Sequence, residues 1–356
     1  MTKLNEKIRS ISISKEVPIL FALKKMDELG VKLLLLISPE GKFEGLITIG
    51  DIQRAIIANM PLDEKVDRIK RKEINIAYTG DDIQDIKNQM LRQKDECMPM
   101  VDENGYIADV IFWSDLFDED FKKREKINIP VVIMAGGKGT RMKPLTNVIP
   151  KPLIPVGEKT IAENILDRFQ ECGCNNFYFS VNYKAELITY YFDQIKNKRY
   201  KISYFREDKP LGTAGSLFMM KDKIKSPFFV SNCDIIVKQD YRDIYDYHRD
   251  NGNEITIVGA LKHIYIPYGI IETGENGELR SMREKPEFTY MINAGMYILE
   301  SHLLQEIPEG EFFHITSLIS QVKERGGKVG VFPVSEKQYS DIGEWDIYFK
   351  TLSLQK

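Results

Sequence analysis

Gly136-Gly137-Lys138-Gly139-Thr140-Arg141, directly after the apolar run 131–134 and Ala135, is a segment suited to meeting anions. Glycines at 136, 137 and 139 let backbone N–H groups approach phosphate oxygens with no Cβ in the way. Arg141 follows at once, and Lys151 comes a short loop later in Pro150-Lys151-Pro152, so cations flank the turn. A planar guanidinium and a compact ammonium beside such a turn point to a polyphosphate ligand. Two better-known phosphate loops do not fit. A Walker A loop needs G-x-x-x-x-G-K-[S/T], whereas Lys138 is followed by Gly139, and a dinucleotide fingerprint would need a third glycine where Met142 stands.

The elements that must hold this loop follow from periodicity. From residue 129 onward, strand-like runs (131–134, 177–181, 201–205, 227–231, 254–260) alternate with helical segments (160–172, 184–196, 213–220, 240–249). That alternation predicts an α/β domain, a Rossmann-like mixed and mostly parallel sheet covered by helices on both faces. Residues 1 to about 120 read differently. Ile19, Met26, Ile37, Gly41 and Asp51 recur 64 positions later as Ile83, Met90, Val101, Gly105 and Asp115. Each copy reads as helix (18–29; 82–93), strand (31–37; 97–101), polar turn, second strand and short helix, so two copies of one α+β unit should pack together. The charge-dense stretch 119–126 is the expected connector. The boundaries are thus 1–126 for the repeated module, with copies 1–62 and 63–126, and 127–356 for the second domain.

Composition narrows the classes. The chain has 356 residues, 43% hydrophobic and 29% charged, as in globular domains with real cores. A net charge of −3 with both signs interspersed gives no basic footprint for nucleic acid or anionic membrane. Four cysteines (Cys97, Cys172, Cys174, Cys233) are too few for a disulfide framework and suit a reducing cytoplasm. Cys172-Gly173-Cys174 has no second Cys/His pair at zinc spacing, and no apolar run reaches membrane-spanning length. The expectation is a cytoplasmic protein.

The motif G-G-x-G-T-R, with Pro144-Leu145-Thr146 and Pro150-Lys151-Pro152 after it, resembles the sugar-phosphate nucleotidyltransferases, or NDP-sugar pyrophosphorylases, and the resemblance extends across 129–356. Further stations appear in order: Leu211-Gly212-Thr213-Ala214-Gly215-Ser216, Asn232-Cys233-Asp234, Tyr268-Gly269, Glu284-Lys285-Pro286, Asn293-Ala294-Gly295 and Asp341-Ile342-Gly343. The resemblance implies that Ala135, Gly136, Gly137, Gly139, Thr140, Arg141, Lys151, Leu211, Gly212, Thr213 and Asn232 bind a nucleotide. It places Gly269, Glu284, Lys285, Asn293 and Gly295 at a sugar phosphate, and Asp234 and Asp341 on Mg²⁺. The implied catalytic cations are Arg141, Lys151 and Lys285. The chemistry asks for such groups: a sugar 1-phosphate oxygen displaces pyrophosphate from the α-phosphorus of an NTP, so about six negative charges must be gathered. The nucleophile is largely ionised already, since its second pKa is near 6, and none of the four histidines falls in a motif.

Val181-Asn182-Tyr183 and the Leu211 loop resemble the guanylyltransferase branch, where mannose 1-phosphate is the commonest acceptor. The repeat at the N-terminus resembles a pair of cystathionine-β-synthase-type (CBS) domains. A CBS pair ahead of such a transferase is similar to the glucosamine-1-phosphate guanylyltransferases of GDP-linked legionaminic acid synthesis, which implies GTP and glucosamine 1-phosphate as substrates. The alternative from another class is a nucleotide-sensing regulatory subunit that no longer turns over. In the first CBS copy the resemblance implies that Thr48 bonds a phosphate and Asp51 the ribose of an adenine or guanine nucleotide. In the second, Phe112 replaces the threonine and Asp115 survives. The bland reading is that both aspartates cap helices. CBS modules usually associate in pairs, which implies a homo-oligomer.

Overall fold

A computed structural model of the chain describes residues 3–71, 74–93, 97–112, 116, 126–196 and 198–353. It forms two compact units, residues 1–124 and 125–356.

In the first unit, β1 (Ser12–Ile13) runs parallel to β2 (Leu33–Ile37), which pairs antiparallel with β3 (Phe43–Thr48). The pattern returns in β4 (Ala77–Tyr78), β5 (Cys97–Val101) and β6 (Ile107–Phe112). Helix Ile19–Leu29 forms because Ile19, Ala22, Leu23 and Met26 share one buried face, and it ends at Gly30 in the left-handed region. Helix Ile83–Gln93 buries Ile86 and Met90 in the same way. Helices and strands recur at an offset of 64 (19 to 83, 33 to 97, 43 to 107), and the register slips after Leu36 in one copy and after Met100 in the other. Lys42 bridges Tyr106, its own counterpart, and the Phe43 N–H donates to the Gly105 carbonyl at 2.9 Å. A residue meeting its own equivalent marks a local two-fold axis, here between the turns of the two copies.

The second unit is built on a seven-stranded sheet. Its strands are β7 (Val131–Met134), β10 (Asn176–Val181), β11 (Lys201–Arg206), β12 (Phe228–Asn232), β14 (Ile255–Tyr265), β17 (Glu287–Leu299) and β18 (Val329–Val334), in the order β11-β10-β7-β12-β17-β14-β18. Four of the six pairings are parallel and the two made by β17 are antiparallel. Two short pieces, β8 (Pro155–Val156) and β9 (Lys159–Thr160), form a hairpin that leads into helix Ile161–Glu171. Thr160 starts that helix by accepting the Glu163 N–H at 3.2 Å while the Glu163 carboxylate takes the Thr160 N–H at 2.8 Å. Phe169 on the helix meets Tyr241 at 4.6 Å and Phe229 of β12 at 5.1 Å between ring centroids, which fixes it on the sheet.

Two expectations needed correction. Residues 213–220, read as a helix, form only a 3₁₀ stretch, Gly215–Met220, because the preceding loop is committed to other backbone partners. The strand expected over 254–260 continues to Tyr265, since past Ala260 it leaves β18 and pairs only with β17, as Lys262 opposite Tyr290 and Tyr265 opposite Glu287. A hairpin of β15 (Ile270–Thr273) and β16 (Leu279–Arg283) lies between the two strands of this arm. Among the described residues no helix is long and apolar enough to cross a membrane.

Candidate active site

β7 lies between β10 and β12, all three parallel, so the chain leaving its end and the chain leaving β12 emerge side by side at the carboxyl edge. That is where open α/β sheets bind ligands. The Ala135 N–H is spent on the Ser180 carbonyl at 2.9 Å, so Ala135 closes the sheet and is not a phosphate donor. Among the described residues the N–H groups of Gly137 to Arg141 meet no protein acceptor, which leaves them available to an anion. Gly139 has φ +61°, and a Cβ there would lie 2.8 Å from the Thr146 methyl, so the turn needs glycine on both counts. Buried Thr146 holds the turn from below by donating its hydroxyl to the Gly139 carbonyl at 2.9 Å.

Past β12, residue 233 turns the chain into β13 (Ile235–Val237), which pairs antiparallel with β19 (Tyr339–Asp341), Ile235 opposite Asp341. This pairing is what unites two carboxylates a hundred residues apart in sequence. The Ile342 N–H donates to the Asp234 carbonyl at 2.9 Å and the Gly343 N–H to Asp341 Oδ1 at 2.9 Å. Lys151 is ion-paired with Asp234, their side chains only 11% and 7% exposed. Arg141, 54% exposed, reaches Asp341 at 3.2 Å, Asp234 at 3.7 Å and Glu344 at 2.9 Å. Two cations thus face three carboxylates. Burial pushes the Asp234 carboxyl above its ordinary value and neighbouring Asp341 adds to this, while the Lys151 ammonium works against both.

The centre of the cluster is backbone. A Cβ built on Gly343 would lie 2.5 Å from Asp234 Oδ2, 2.8 Å from Asp341 Oδ1 and against Lys151 Nζ. The carboxylate oxygens of Asp234 and Asp341 thus lie close together, and hard oxygen donors of this kind suit a divalent ion that also binds substrate oxygens and water. The role of Glu344 was invisible in the sequence, because its partner Arg141 lies 203 residues away. Burial pushes the Cys233 thiol up to about 12, which favours the inert thiol over a thiolate.

The Leu211 loop is held by a buried carboxylate that the motifs did not single out. Glu207 accepts the Leu211 N–H at 3.2 Å and the Ser180 hydroxyl, and its Oε1 would lie 3.2 Å from a Cβ on Gly136. It thus ties the glycine-rich turn to the Leu211 loop. Only its position just before Pro210-Leu211-Gly212 could have drawn attention to it. Gly212, at φ +79°, and Gly215 pack on the carbonyls of Phe313 and Glu311, 2.6 and 2.5 Å from where their Cβ atoms would be. The Thr213 hydroxyl accepts the Ile315 N–H at 2.9 Å and so caps the helix Ile315–Glu324. Thr140 is exposed and opens the single turn that carries Arg141.

Asn232 ends β12 against β17: a Cβ on Gly295 would meet its amide at 2.5 Å, and Asn293 Oδ1 accepts the Gly295 N–H at 3.0 Å. Gly269 backs onto Glu284, whose Oε2 is 2.9 Å from the Cβ position. Lys285 is exposed with φ +44°. Among the described residues no hydrogen bond or ion pair joins Glu284 or Lys285 to the Asp234 cluster, so the structure does not bring the arm and the cations into direct contact.

In the first unit, Asp51 is buried and turned inward. Its carboxylate accepts both the N–H and the hydroxyl of Thr48 at 2.7 Å, pairs with Arg54, and lies 3.4 Å from Arg71. This is helix capping, with Thr48 at the N-cap of helix Ile49–Ile57. Asp115 lies outside the described residues.

Residues 130–355, more than half the chain, match the nucleotidyl transferase family model, and residues 6–58 match the CBS domain. The chain belongs to the nucleotidyl transferase family and carries a CBS domain at its N-terminal end. Curated relatives include the mannose-1-phosphate guanylyltransferase catalytic subunit beta of Dictyostelium discoideum, 36% identical over 49% of this chain and 51% of that one. The mannose-1-phosphate guanyltransferase of Schizosaccharomyces pombe is 35% identical over the same shares. The chain spans about half the length of these relatives. The crystal structure of HddC from Yersinia pseudotuberculosis is 26% identical and superposes with a TM-score of 0.52, covering 64% of this chain and all of that one. HddC has also been solved complexed with GMP-PN, a structure that superposes with a TM-score of 0.51 at 26% identity over the same shares.

Proposed function

We propose that residues 127–356 transfer a nucleoside monophosphate from an NTP to a sugar 1-phosphate with release of pyrophosphate, using GTP. One observation carries this reading: Lys151, Asp234 and Asp341, drawn from three separate segments, meet at Gly343, and Arg141 is ion-paired with both aspartates beside a turn of unpaired N–H groups. Asp234 and Asp341 would hold Mg²⁺, which when bound supplies charge neutralisation between the phosphates. Arg141 and Lys151 then exchange carboxylate partners for phosphate oxygens, Arg141 on the departing pyrophosphate and Lys151 on the α-phosphate. The N–H groups of 137–141 take the remaining charge. Lys285, on the arm, would bring in the acceptor phosphate with Glu284, Gly269, Asn293 and Gly295 around the sugar. No base is needed, because the acceptor phosphate is already ionised near neutrality.

Guanine is supported by Glu207 as well as by the names of the relatives. A carboxylate is an acceptor only, and guanine presents adjacent N1–H and N2–H donors, whereas uracil and thymine flank their single N–H with two carbonyls. Glu207 sits between the Gly136 turn and the Leu211 loop, where it can meet a base edge. Glucosamine 1-phosphate is the first acceptor to test, from the CBS-plus-transferase arrangement, and mannose 1-phosphate the second, from the relatives. The resulting GDP-sugar would serve surface glycan synthesis in the cytoplasm, legionaminic acid included. The CBS unit would regulate or pair copies of the enzyme.

The test is pyrophosphate release by the full chain across four NTPs and a panel of sugar 1-phosphates with Mg²⁺. GTP should be preferred. Turnover with UTP or dTTP but not GTP would overturn the base assignment, and no turnover with any pair would overturn the reaction.

A further inference from the structure

The loop that leads from Arg141 to Lys151 is exposed at Asn147 and Val148. A groove of about 440 Å³ separates Val148, Pro150 and Leu153 from Leu187, Tyr190 and Ile195. Val148 is 70% exposed and Tyr190 68%, so side-chain packing, which holds Leu145 and Ile149 on the core, does not by itself fix the carbonyls of 146–148. Hydrogen bonds from two residues just past β10 do. The Tyr183 hydroxyl donates to the Thr146 carbonyl at 3.1 Å, and Lys184 Nζ donates to the carbonyls of Asn147 at 2.5 Å and Val148 at 2.7 Å. Three successive carbonyls are held from one side. The same pair reaches the glycine-rich turn, because the Tyr183 N–H donates to the Gly136 carbonyl at 3.4 Å and Thr146 holds the Gly139 carbonyl.

Lys184 occupies this place at a cost. It has φ +54° and ψ +38° at the N-cap of helix Ala185–Gln194, a left-handed conformation that strains a non-glycine residue. The helix start alone would be better served by Asn, Ser, Asp or Gly, since a lysine side chain has no acceptor for the first N–H groups. What the lysine adds is a charged donor with protons enough for two carbonyls.

We propose that Lys184, with Tyr183, is a positioning residue for nucleotide binding: it fixes the carbonyls of 146–148 and through them the spacing of the Gly136–Arg141 turn from Lys151. The proposal rests on reading this site as a nucleotide site. The full chain and its Lys184→Met, Lys184→Gly and Lys184→Arg variants are titrated with GTP in Mg²⁺ and separately with inorganic pyrophosphate, and their melting temperatures recorded. Lys184→Gly relieves the backbone strain, so it removes the ammonium without penalising the fold. Loss of two charge-assisted bonds should weaken binding by roughly tenfold or more in Lys184→Met and Lys184→Gly, with melting temperatures near that of the parent and with Lys184→Arg close to the parent in affinity.

The proposal is overturned if Lys184→Gly binds as the parent does, if Lys184→Arg is as weak as Lys184→Met, or if affinity falls only where the melting temperature falls with it. Because the readout is binding, a parent that binds GTP yet releases no pyrophosphate with any sugar 1-phosphate would overturn the function and leave the Lys184 test intact. A parent that binds neither GTP nor pyrophosphate overturns both.

Discussion

Adding one methyl group at Gly343 should slow turnover about a hundredfold while leaving the fold nearly untouched. Its φ lies outside the left-handed region, so alanine meets no backbone strain there. The cost comes from the site. Ordinary contact begins at 3.4 Å, so the Cβ at 2.5 Å from Asp234 Oδ2 and 2.8 Å from Asp341 Oδ1 must drive these oxygens back by roughly 0.9 and 0.6 Å, and Lys151 Nζ with them. All three are side-chain ends and can turn away, which limits the stability loss to about 1 kcal/mol. Displacements of about 1 Å in a positioned site cost on the order of 10²-fold in rate. Gly343→Ala should therefore release pyrophosphate about a hundredfold more slowly from the preferred NTP and sugar 1-phosphate, with a melting temperature close to the parent's. Gly137→Ala is the counterpart, because no atom lies within 4 Å of its Cβ position. It should fold unchanged and lose nucleotide affinity only through the bound phosphates. Gly343→Ala with parental turnover would refute the convergence of Lys151, Asp234 and Asp341 as the working geometry.

Other perturbations follow from the same packing. Asp234→Ala leaves the Lys151 ammonium almost buried without its partner, so it should cost on the order of 3 kcal/mol in denaturant unfolding as well as turnover; parental stability would show that the pair is not tightly coupled. Glu207→Gln should narrow the preference for GTP over UTP by roughly tenfold or more in kcat/KM, and an unchanged ratio would remove Glu207 from base recognition. Burial holds His248 below its ordinary value of 6.5, against the opposing pull of Glu300 at 3.4 Å, so the unfolded chain binds the proton first. The stability it confers is present above pH 6.5 and lost as the pH falls below it. Melting temperatures of the parent and His248→Gln should thus converge between pH 7 and 5; a constant gap would exclude the linkage.

Much of this protein was legible in local sequence. The buried stripe Ile19, Ala22, Leu23, Met26 and its echo in Ile86 and Met90 announce the helices because side-chain burial repeats every turn. The glycine turn after β7 and the cap Thr160–Glu163 are likewise short-range effects of φ and hydrogen-bond reach, readable within a few residues. The 3₁₀ stretch at Gly215 and the arm of β14 and β17 were not readable, because their partners, Phe313 and the strand 287–299, are distant in the chain.

What the sequence determined by itself is the kind of groups present: a phosphate-seeking turn, Arg141, Lys151, Asp234, Asp341, and a module that occurs twice. Residue type and short spacing suffice for that, since they depend only on covalent neighbours. Only the tertiary structure decided which groups meet. The β13–β19 pairing sets Asp341 beside Asp234, brings Glu344 to Arg141 and puts Gly343 at their centre. Tertiary contacts also made Thr213 a cap for a helix a hundred residues away and drew Glu207 and Lys184 into the support of the site. Hydrogen bonds need partners within about 3.2 Å and Coulomb energies scale inversely with distance, so a site's chemistry depends on distances that only the folded chain sets.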